Sequence, residues 1–235
     1  MICHSHTWHD FWGLVTRLGS PLDPSHVFGR LLLVLSLALS FFAVATGYGL
    51  GEDDSTARTA RRYQRGPLAI KEFRAAPGDG GAAFTATRIF SEFKYDTKGR
   101  NGRYVATLTR FRAYAAFLPN ESWWRADDDP RLLDHEQGHF DIAEINARKL
   151  TLSFGKLLAG GRTVTAGGVS AAAASKSLTK KLDEVMRRID QQVRQENTDY
   201  DRITRHGADA RVQREHRRVQ ELTLNRSTDE LQELE

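Results

Sequence analysis

The pattern of the chain changes at the acidic stretch 127–130, Asp-Asp-Asp-Pro, and this change constrains the fold more than any other feature. Before it, the segments 83–95 and 103–118 are rich in β-branched and aromatic residues and are separated by a turn-rich stretch, which predicts a β-hairpin. A shorter third strand is expected at 66–75. After it, apolar residues recur at helical spacing. Strands first and helices second indicate an α+β fold with a small antiparallel sheet.

Three helices are expected after the acidic stretch, at 130–158, 170–197 and 205–222. Aspartate and proline at the start of the first helix suit its positive N-terminal end. The apolar residues of this helix do not keep to one stripe, so we expect it to be buried on several sides. The second helix has a clean amphipathic spacing, and the third is heavily charged.

The longest apolar run lies at 31–50, LLLVLSLALSFFAVATGYGL, directly after Arg30. A positive residue, an apolar stretch and then Ala43-Val44-Ala45 are typical of a secretory signal cleaved after Ala45. Uncleaved, the run is also long enough to span a bilayer, so attachment to the inner membrane is an open alternative. We expect export to the periplasm or the cell exterior. The chain then divides into a leader or membrane anchor (1–45), a polar, Arg-rich linker (46–66), one folded domain (67–222) and a frayed tail (223–235).

The composition excludes several classes of function. The chain has 34 Lys and Arg against 30 Asp and Glu, a net charge of +4. No aromatic-basic motif accompanies this excess, so we expect no nucleic-acid partner. The single cysteine, Cys3, lies before the apolar run, so a mature chain has neither a disulfide framework nor thiol chemistry.

The first helix contains the segment 135–139, His-Glu-Gln-Gly-His, whose spacing is that of a metal site. His135 and His139 lie roughly 40° apart around the helix and about 6 Å along it, so both imidazoles can point at one ion. Glu136 is offset by about 100° and can hold a metal-bound water without ligating the metal. Zinc is the expected ion, with Glu136 as general base. The alternative is two core histidines that hydrogen-bond to protein groups.

Two histidines need a third ligand. Asp141 and Glu144 are nearest in sequence, but an unbroken helix points them away from the two histidines. We therefore expect them to be solvated or to hydrogen-bond to the metal ligands without binding the metal. His216 lies among arginines on a face that we expect to be solvated. His206 follows a long helix at a point where the chain can turn back, and it is the favoured third ligand.

The same segment resembles a known bacterial family. The stretch 132–144, LLDHEQGHFDIAE, followed by Ala-Arg-Lys-Leu at 147–150, resembles a family of predicted secreted zinc-dependent proteases that is catalogued as a domain of unknown function. Further matching residues are Phe84-Thr85-Ala86-Thr87, Ser122-Trp123, Tyr200-Asp201, Thr204, His206-Gly207 and Gln213.

This resemblance spans roughly residues 67–222 and implies a zincin-like fold around the buried HExxH helix. In that family a Tyr-Asp pair and a Thr-x-His follow a long second helix, which implies His206 as third ligand and Asp201 as its orienting neighbour or a competing ligand. Tyr200 is either a donor to a developing oxyanion or a packing residue. At Ile203, where an acidic residue is frequent in the family, this chain has none, which argues against that position as an essential ligand.

These features predict an exported zinc-dependent peptidase that acts on a peptide or protein substrate. The alternative is a catalytically silent zincin-like protein that binds or assembles components of the cell envelope. The intact Glu136 favours the enzyme, because a catalytically inactive site does not need a general base. A nucleic-acid binder that uses the basic stripe 205–218 would have to work in the cytoplasm, which the leader argues against.

Overall fold

The computed structural model describes residues 45–51, 59–79 and 81–234 of the chain. Its strands are β1 (Ala45–Gly51), β2 (Arg61–Arg62), β3 (Ala83–Phe84), β4 (Thr87–Arg100), β5 (Arg103–Phe117), β6 (Trp123–Trp124) and β7 (Thr165–Gly168), and its helices are α1 (Pro130–Ala159), α2 (Ala171–Thr204) and α3 (Ala210–Gln232). The main sheet has the order β1-β4-β5-β2, with β7 also pairing β5, and all these pairings are antiparallel. An α+β fold with a small antiparallel sheet and three helices is therefore confirmed.

The sheet is centred on the hairpin of β4 and β5. Asn101 and Gly102 form its two-residue turn, and both have left-handed backbone angles, with φ of 51° and 71°. Such a turn matches the right-handed twist of the flanking strands. Both strands therefore continue up to the turn, and β4 reaches Arg100 rather than residue 95.

Two strand expectations are wrong. The stretch 66–75 contains a 3-10 helix at Ile70–Glu72, where the Glu72 carboxylate accepts a hydrogen bond from the backbone N–H of Ala69 at 2.8 Å. Local capping of this kind competes with strand pairing. The expected strand 83–95 is divided, because β3 pairs with β6 in a separate two-stranded sheet.

Part of the expected linker, 46–66, belongs to the fold. β1 pairs with β4, and Arg61 is buried, with its Nε 2.7 Å from Oε1 of Glu72. The same guanidinium donates two hydrogen bonds, of 2.7 and 2.8 Å, to backbone carbonyls. These contacts fix a segment whose polar composition had suggested solvent exposure. The expected leader or anchor, up to residue 44, lies outside the described residues. Within the described ranges, no helix combines the length and the apolar character needed to cross a bilayer.

The first two helices occur where they were predicted. α1 has nearly its expected bounds, whereas α2 runs past residue 197 to Thr204. It does so because Tyr200 and Thr204 continue the buried face that runs from Ala174 to Val193. Two more turns of helix therefore reach the start of α1, and they carry residues that matter for the candidate site.

The third helix begins and ends later than expected. The Asp209 carboxylate caps its start by accepting a hydrogen bond from the backbone N–H of Val212 at 3.1 Å. The helix then continues to Gln232, so the expectation of a frayed tail from residue 223 is wrong for most of that segment. Leu224 of this segment is buried, and burial holds the extra turns in place.

The core lies between one face of the hairpin and the helices. Phe111 of β5 stacks on Phe154 of α1 with ring centroids 4.2 Å apart, and Phe117 and Phe140 are fully buried. α1 has the sheet on one side and α2 and α3 on others. Its burial on several sides, predicted from the spread of its apolar residues, is confirmed.

Arg217 joins α3 to α1 through two ion pairs, one of them with the buried carboxylate of Asp141. Its guanidinium contacts Asp141 and lies 3.0 Å from Asp134 Oδ1. Asp141 also accepts hydrogen bonds of 2.7 Å from the Tyr63 hydroxyl and from the Gln137 amide. Asp141 is therefore not solvated: it is buried and holds three elements together.

We predict that Arg217→Met lowers the free energy of unfolding by about 3 kcal/mol, because it leaves a buried carboxylate without its counter-charge. The matched control is Arg202→Met, which breaks the exposed pair with Asp199 and should change stability by at most about 0.5 kcal/mol. Urea unfolding followed by circular dichroism measures both. Equal effects of the two substitutions would contradict the structural role of Arg217.

Candidate metal centre

The start of α1 sets the position of the candidate site. The carboxylate of Asp129 accepts hydrogen bonds from two following backbone N–H groups, at 2.9 and 3.4 Å, and Pro130 takes the first helical position. These features satisfy free N–H groups of the first turn and fix where the helix begins. His135 and His139 then lie on successive turns of one face, and both are buried.

The two imidazoles converge on Asp201 of α2. His135 Nε2 lies 3.0 Å, and His139 Nε2 3.1 Å, from the same oxygen, Asp201 Oδ1. The ligand atoms of the three side chains all lie within 4.8 Å of one another. In a tetrahedral zinc site with bonds of about 2.0–2.1 Å, neighbouring ligand atoms are about 3.3 Å apart. These three residues are therefore spaced to hold one metal ion.

Asn197 orients the second imidazole. His139 Nδ1 lies 3.0 Å from Asn197 Oδ1. An amide oxygen only accepts, so Nδ1–H donates and the Nε2 lone pair is left for a metal. Sequence reasoning missed Asn197. The available signal was its place one turn before Asp201, on the α2 face that runs from Val193 to Thr204.

The charges of the centre suit a cation. Burial opposes ionisation of Asp201, but hydrogen bonds to His135 and His139 bring the pKa of its carboxyl well below the usual range. Burial also opposes protonation of His139, yet its hydrogen bond to Asp201 and the nearby charge of Glu136 raise the net pKa of its imidazole. A divalent ion would replace protons at these positions, since metal ligands bind in their deprotonated forms.

Glu136 lies next to His135 in the same helix, and one oxygen of its carboxylate has no hydrogen-bond partner among the described residues. Its side chain is buried, and this oxygen is Oε2. A buried carboxylate oxygen without a partner is destabilising, so a water or a ligand must supply the missing hydrogen. Glu136 is offset by about 100° around the helix from His135, so its carboxylate would face a water on a metal held by the histidines.

Tyr200 packs beneath the imidazoles. Its ring stacks on His135 with centroids 4.8 Å apart and meets the ring of His139 edge-on at 5.2 Å. Its hydroxyl is buried against Gly138, and burial raises the pKa of the phenol above its ordinary value. Gly138 lies about 160° around the helix from Glu136. The ring contacts and this placement favour the packing role of Tyr200 over an oxyanion donor, although its buried hydroxyl has no hydrogen-bond partner among the described residues.

His206 lies next to the group without joining it. Its Nδ1 is 3.5 Å from Asp201 Oδ1, but the side chain is 80% exposed. It sits in the turn after α2, where Arg205, His206 and Gly207 all have positive φ. The structure thus brings Asp201 to the two histidines, and ligation by His206 stays a prediction. His216 also lies outside the group, with its ring 6.2 Å from that of Tyr200.

The two carboxylates nearest the motif in sequence have other partners. Glu144 pairs with Arg148 at 2.7 Å and accepts a hydrogen bond of 3.1 Å from the backbone N–H of Ala115. Asp141 is held by Arg217, as described above. Neither belongs to the group of three side chains that could hold a metal ion, but both are buried rather than solvated.

We predict that Gly138→Ala destabilises the protein by about 1–3 kcal/mol, although alanine is the better helix former, because overpacking outweighs propensity. The added Cβ would lie 2.4 Å from the Tyr200 hydroxyl oxygen and 2.6 Å from its ring carbon. The control is Gly155→Ala on the same helix, where the closest atom is the flexible end of Leu234 at 2.8 Å. Thermal unfolding of both variants tests this; an unchanged melting temperature for Gly138→Ala would contradict the packing.

Comparison with known proteins identifies the family of the chain. Residues 65–207 match the model of a family described as a bacterial protein of unknown function, DUF922. No curated protein and no solved structure matches the chain. The matched region spans more than half of the chain and contains α1, α2 and the three converging side chains. The chain therefore belongs to the DUF922 family of bacterial proteins of unknown function.

Proposed function

We propose that the protein is a zinc-dependent peptidase, with His135, His139 and Asp201 as metal ligands and Glu136 as general base. One observation carries this proposal: three ligand atoms converge beside a buried carboxylate oxygen, Glu136 Oε2, that has no hydrogen-bond partner in the part of the chain that the structure describes. Two imidazoles, one carboxylate and an open fourth position are the features of a catalytic rather than a structural zinc site. A zinc ion bound there would acidify a water and polarise the carbonyl of a scissile bond.

The residues of the chain have separate roles in this proposal. Glu136 accepts the proton of the attacking water and later delivers it to the nitrogen of the leaving amine, as the C–N bond breaks. Asn197 holds the Nδ1–H of His139, and the ring of Tyr200 keeps both imidazoles in place. The exposed imidazole of His206 lies 3.5 Å from Asp201 Oδ1 at the surface, where it can contact substrate.

The surroundings of the centre favour an extended substrate. Asp201 is 29% exposed and His206 lies on the surface, so the centre opens directly to solvent. Two cavities, of about 660 and 850 Å³, lie against other faces of α1, and neither is lined by His135, His139 or Asp201. A polypeptide can lie across such an open centre, whereas small-molecule sites are usually enclosed.

Export is part of the proposal. The apolar run 31–50 after Arg30 has the pattern of a secretory signal or an anchor. Cleavage after Ala45 would leave β1 in the mature protein from Thr46 onward. The substrate would then be a peptide or protein of the cell envelope or the exterior.

We predict that the purified protein binds one zinc per chain, and that Glu136→Gln keeps this zinc while casein hydrolysis falls by at least about a thousandfold. The amide has the shape of the carboxylate but cannot accept the proton of the water. The control is Glu121→Gln, an exposed position that should retain activity. Absence of stoichiometric metal from the parent would sink the proposal. Bound zinc with no hydrolysis of any tested peptide would favour an envelope binding protein.

We predict that Asp201→Asn weakens zinc binding by more than about a hundredfold, because a neutral amide replaces the charged ligand. His206→Asn should weaken it by less than about tenfold, since its side chain stands outside the converging group. Competition with a chromogenic chelator measures both affinities, and circular dichroism confirms that the variants are folded. The reverse order would make His206 the third ligand and Asp201 its orienting neighbour.

A further inference from the structure

The charged side chains of the hairpin all lie on one face. The opposite face of β4 and β5 supplies core residues such as Ile89 and Phe111. Directly opposed residues of paired strands share a face, and Glu92 lies opposite Arg112 and Lys94 opposite Arg110 on the face turned away from the core. Alternation along the strands places the other charged residues of the hairpin on this same face. We call it the basic sheet face.

The basic sheet face concentrates positive charge. The two strands carry seven Lys and Arg residues against two acidic residues, Glu92 and Asp96. This excess of five positive charges is larger than the net charge of +4 of the whole chain. Five of the seven basic side chains are exposed, including Lys98, Arg103 and Arg110. The rest of the chain therefore carries no net positive charge, and the net excess of the protein is accounted for by this face.

We propose that the basic sheet face binds a membrane surface of anionic phospholipids. Basic residues held near such a surface are attracted to its negative potential. Val105, which lies opposite Lys98 on this face, is 43% exposed and can contact lipid as well. The sequence before β1 is apolar from Leu31 onward, and β1 is hydrogen-bonded to β4, the strand that carries half of this face. The apolar stretch 31–44 thus leads directly into the edge of the same sheet, although it is shorter than the roughly 20 residues that span a bilayer.

The aromatic residues of this face argue against nucleic acid. Single strands bind to grooves that combine positive charge with rings on which bases stack. Tyr114 is the least buried ring of the hairpin on this face. It is already in contact with protein groups: the Arg62 guanidinium lies 3.8 Å from its centroid, and Phe90 stacks on it with centroids 5.7 Å apart. Phe90 itself is buried. No ring of β4 or β5 on this face is therefore free to stack on a base.

The test is sedimentation of the full chain with vesicles of phosphatidylcholine alone and with vesicles that contain 30% phosphatidylglycerol. The sheet variant is Lys98→Gln, Arg103→Gln and Arg110→Gln, three exposed positions. The matched control is Arg214→Gln, Arg218→Gln and Arg226→Gln, three exposed positions on α3. Any insertion of the apolar run acts on both kinds of vesicle, so the ratio of the two affinities isolates the contribution of charge. A labelled single-stranded oligonucleotide is measured in parallel.

The parent is expected to prefer anionic vesicles at least tenfold at low salt, and the sheet variant to lose at least tenfold of that preference. Each basic residue near an anionic surface raises the binding affinity roughly fivefold. The control variant should change this preference by less than threefold.

Equal binding to both vesicles, or equal losses in the two variants, would overturn the proposal. Loss of oligonucleotide binding with unchanged vesicle binding would assign the face to nucleic acid. If the triple variant does not fold, Lys98→Gln and Arg110→Gln alone should each show a partial loss. Metal content and hydrolysis play no part in this readout.

Discussion

The burial of α1 is the constraint on which the rest of the structure depends, because its central turns carry ionisable side chains. A buried polar group is stable only when it has a partner, so each element around α1 supplies one. The backbone of β5 and Arg148 satisfy Glu144, and Arg217 of α3 satisfies Asp141. α2 brings Asp201 to the two histidines. The candidate metal centre is thus one part of a continuous set of polar contacts around a single helix.

The part of the site that could be predicted is the part that local periodicity determines. His135, Glu136 and His139 lie within two turns of one helix, and their relative positions follow from its geometry. Asp201 could not be chosen over His206, because that choice depends on where α2 ends and how it crosses α1. The polar sequence after Asn197 suggested an end, whereas the helix continues to Thr204 on the strength of two buried side chains.

The fold class could be predicted for the same reason, and the errors lie where distant partners decide. β-Branched and aromatic residues on either side of a turn-rich stretch predicted the hairpin, and apolar residues at helical spacing predicted the helices. An arginine-rich stretch such as that around Arg61 looks solvated until Glu72 and two carbonyls are brought to it. The turns of α3 after residue 223 looked frayed, but Arg148 of α1 donates a hydrogen bond of 2.8 Å to the Leu224 carbonyl. Composition alone does not show whether a charged residue will find a partner.

The long separation in sequence between the candidate ligands has a further consequence. His135 and Asp201 lie 66 residues apart, on two different helices. A zinc ion held between them would act as a cross-link, in a chain whose single cysteine cannot form an internal disulfide. A ligand that binds only the folded state adds about 2.7 kcal/mol of stability at a free concentration a hundred times its Kd. The lifetime of the protein would then follow the zinc supply of its compartment, with metal starvation exposing the chain to degradation.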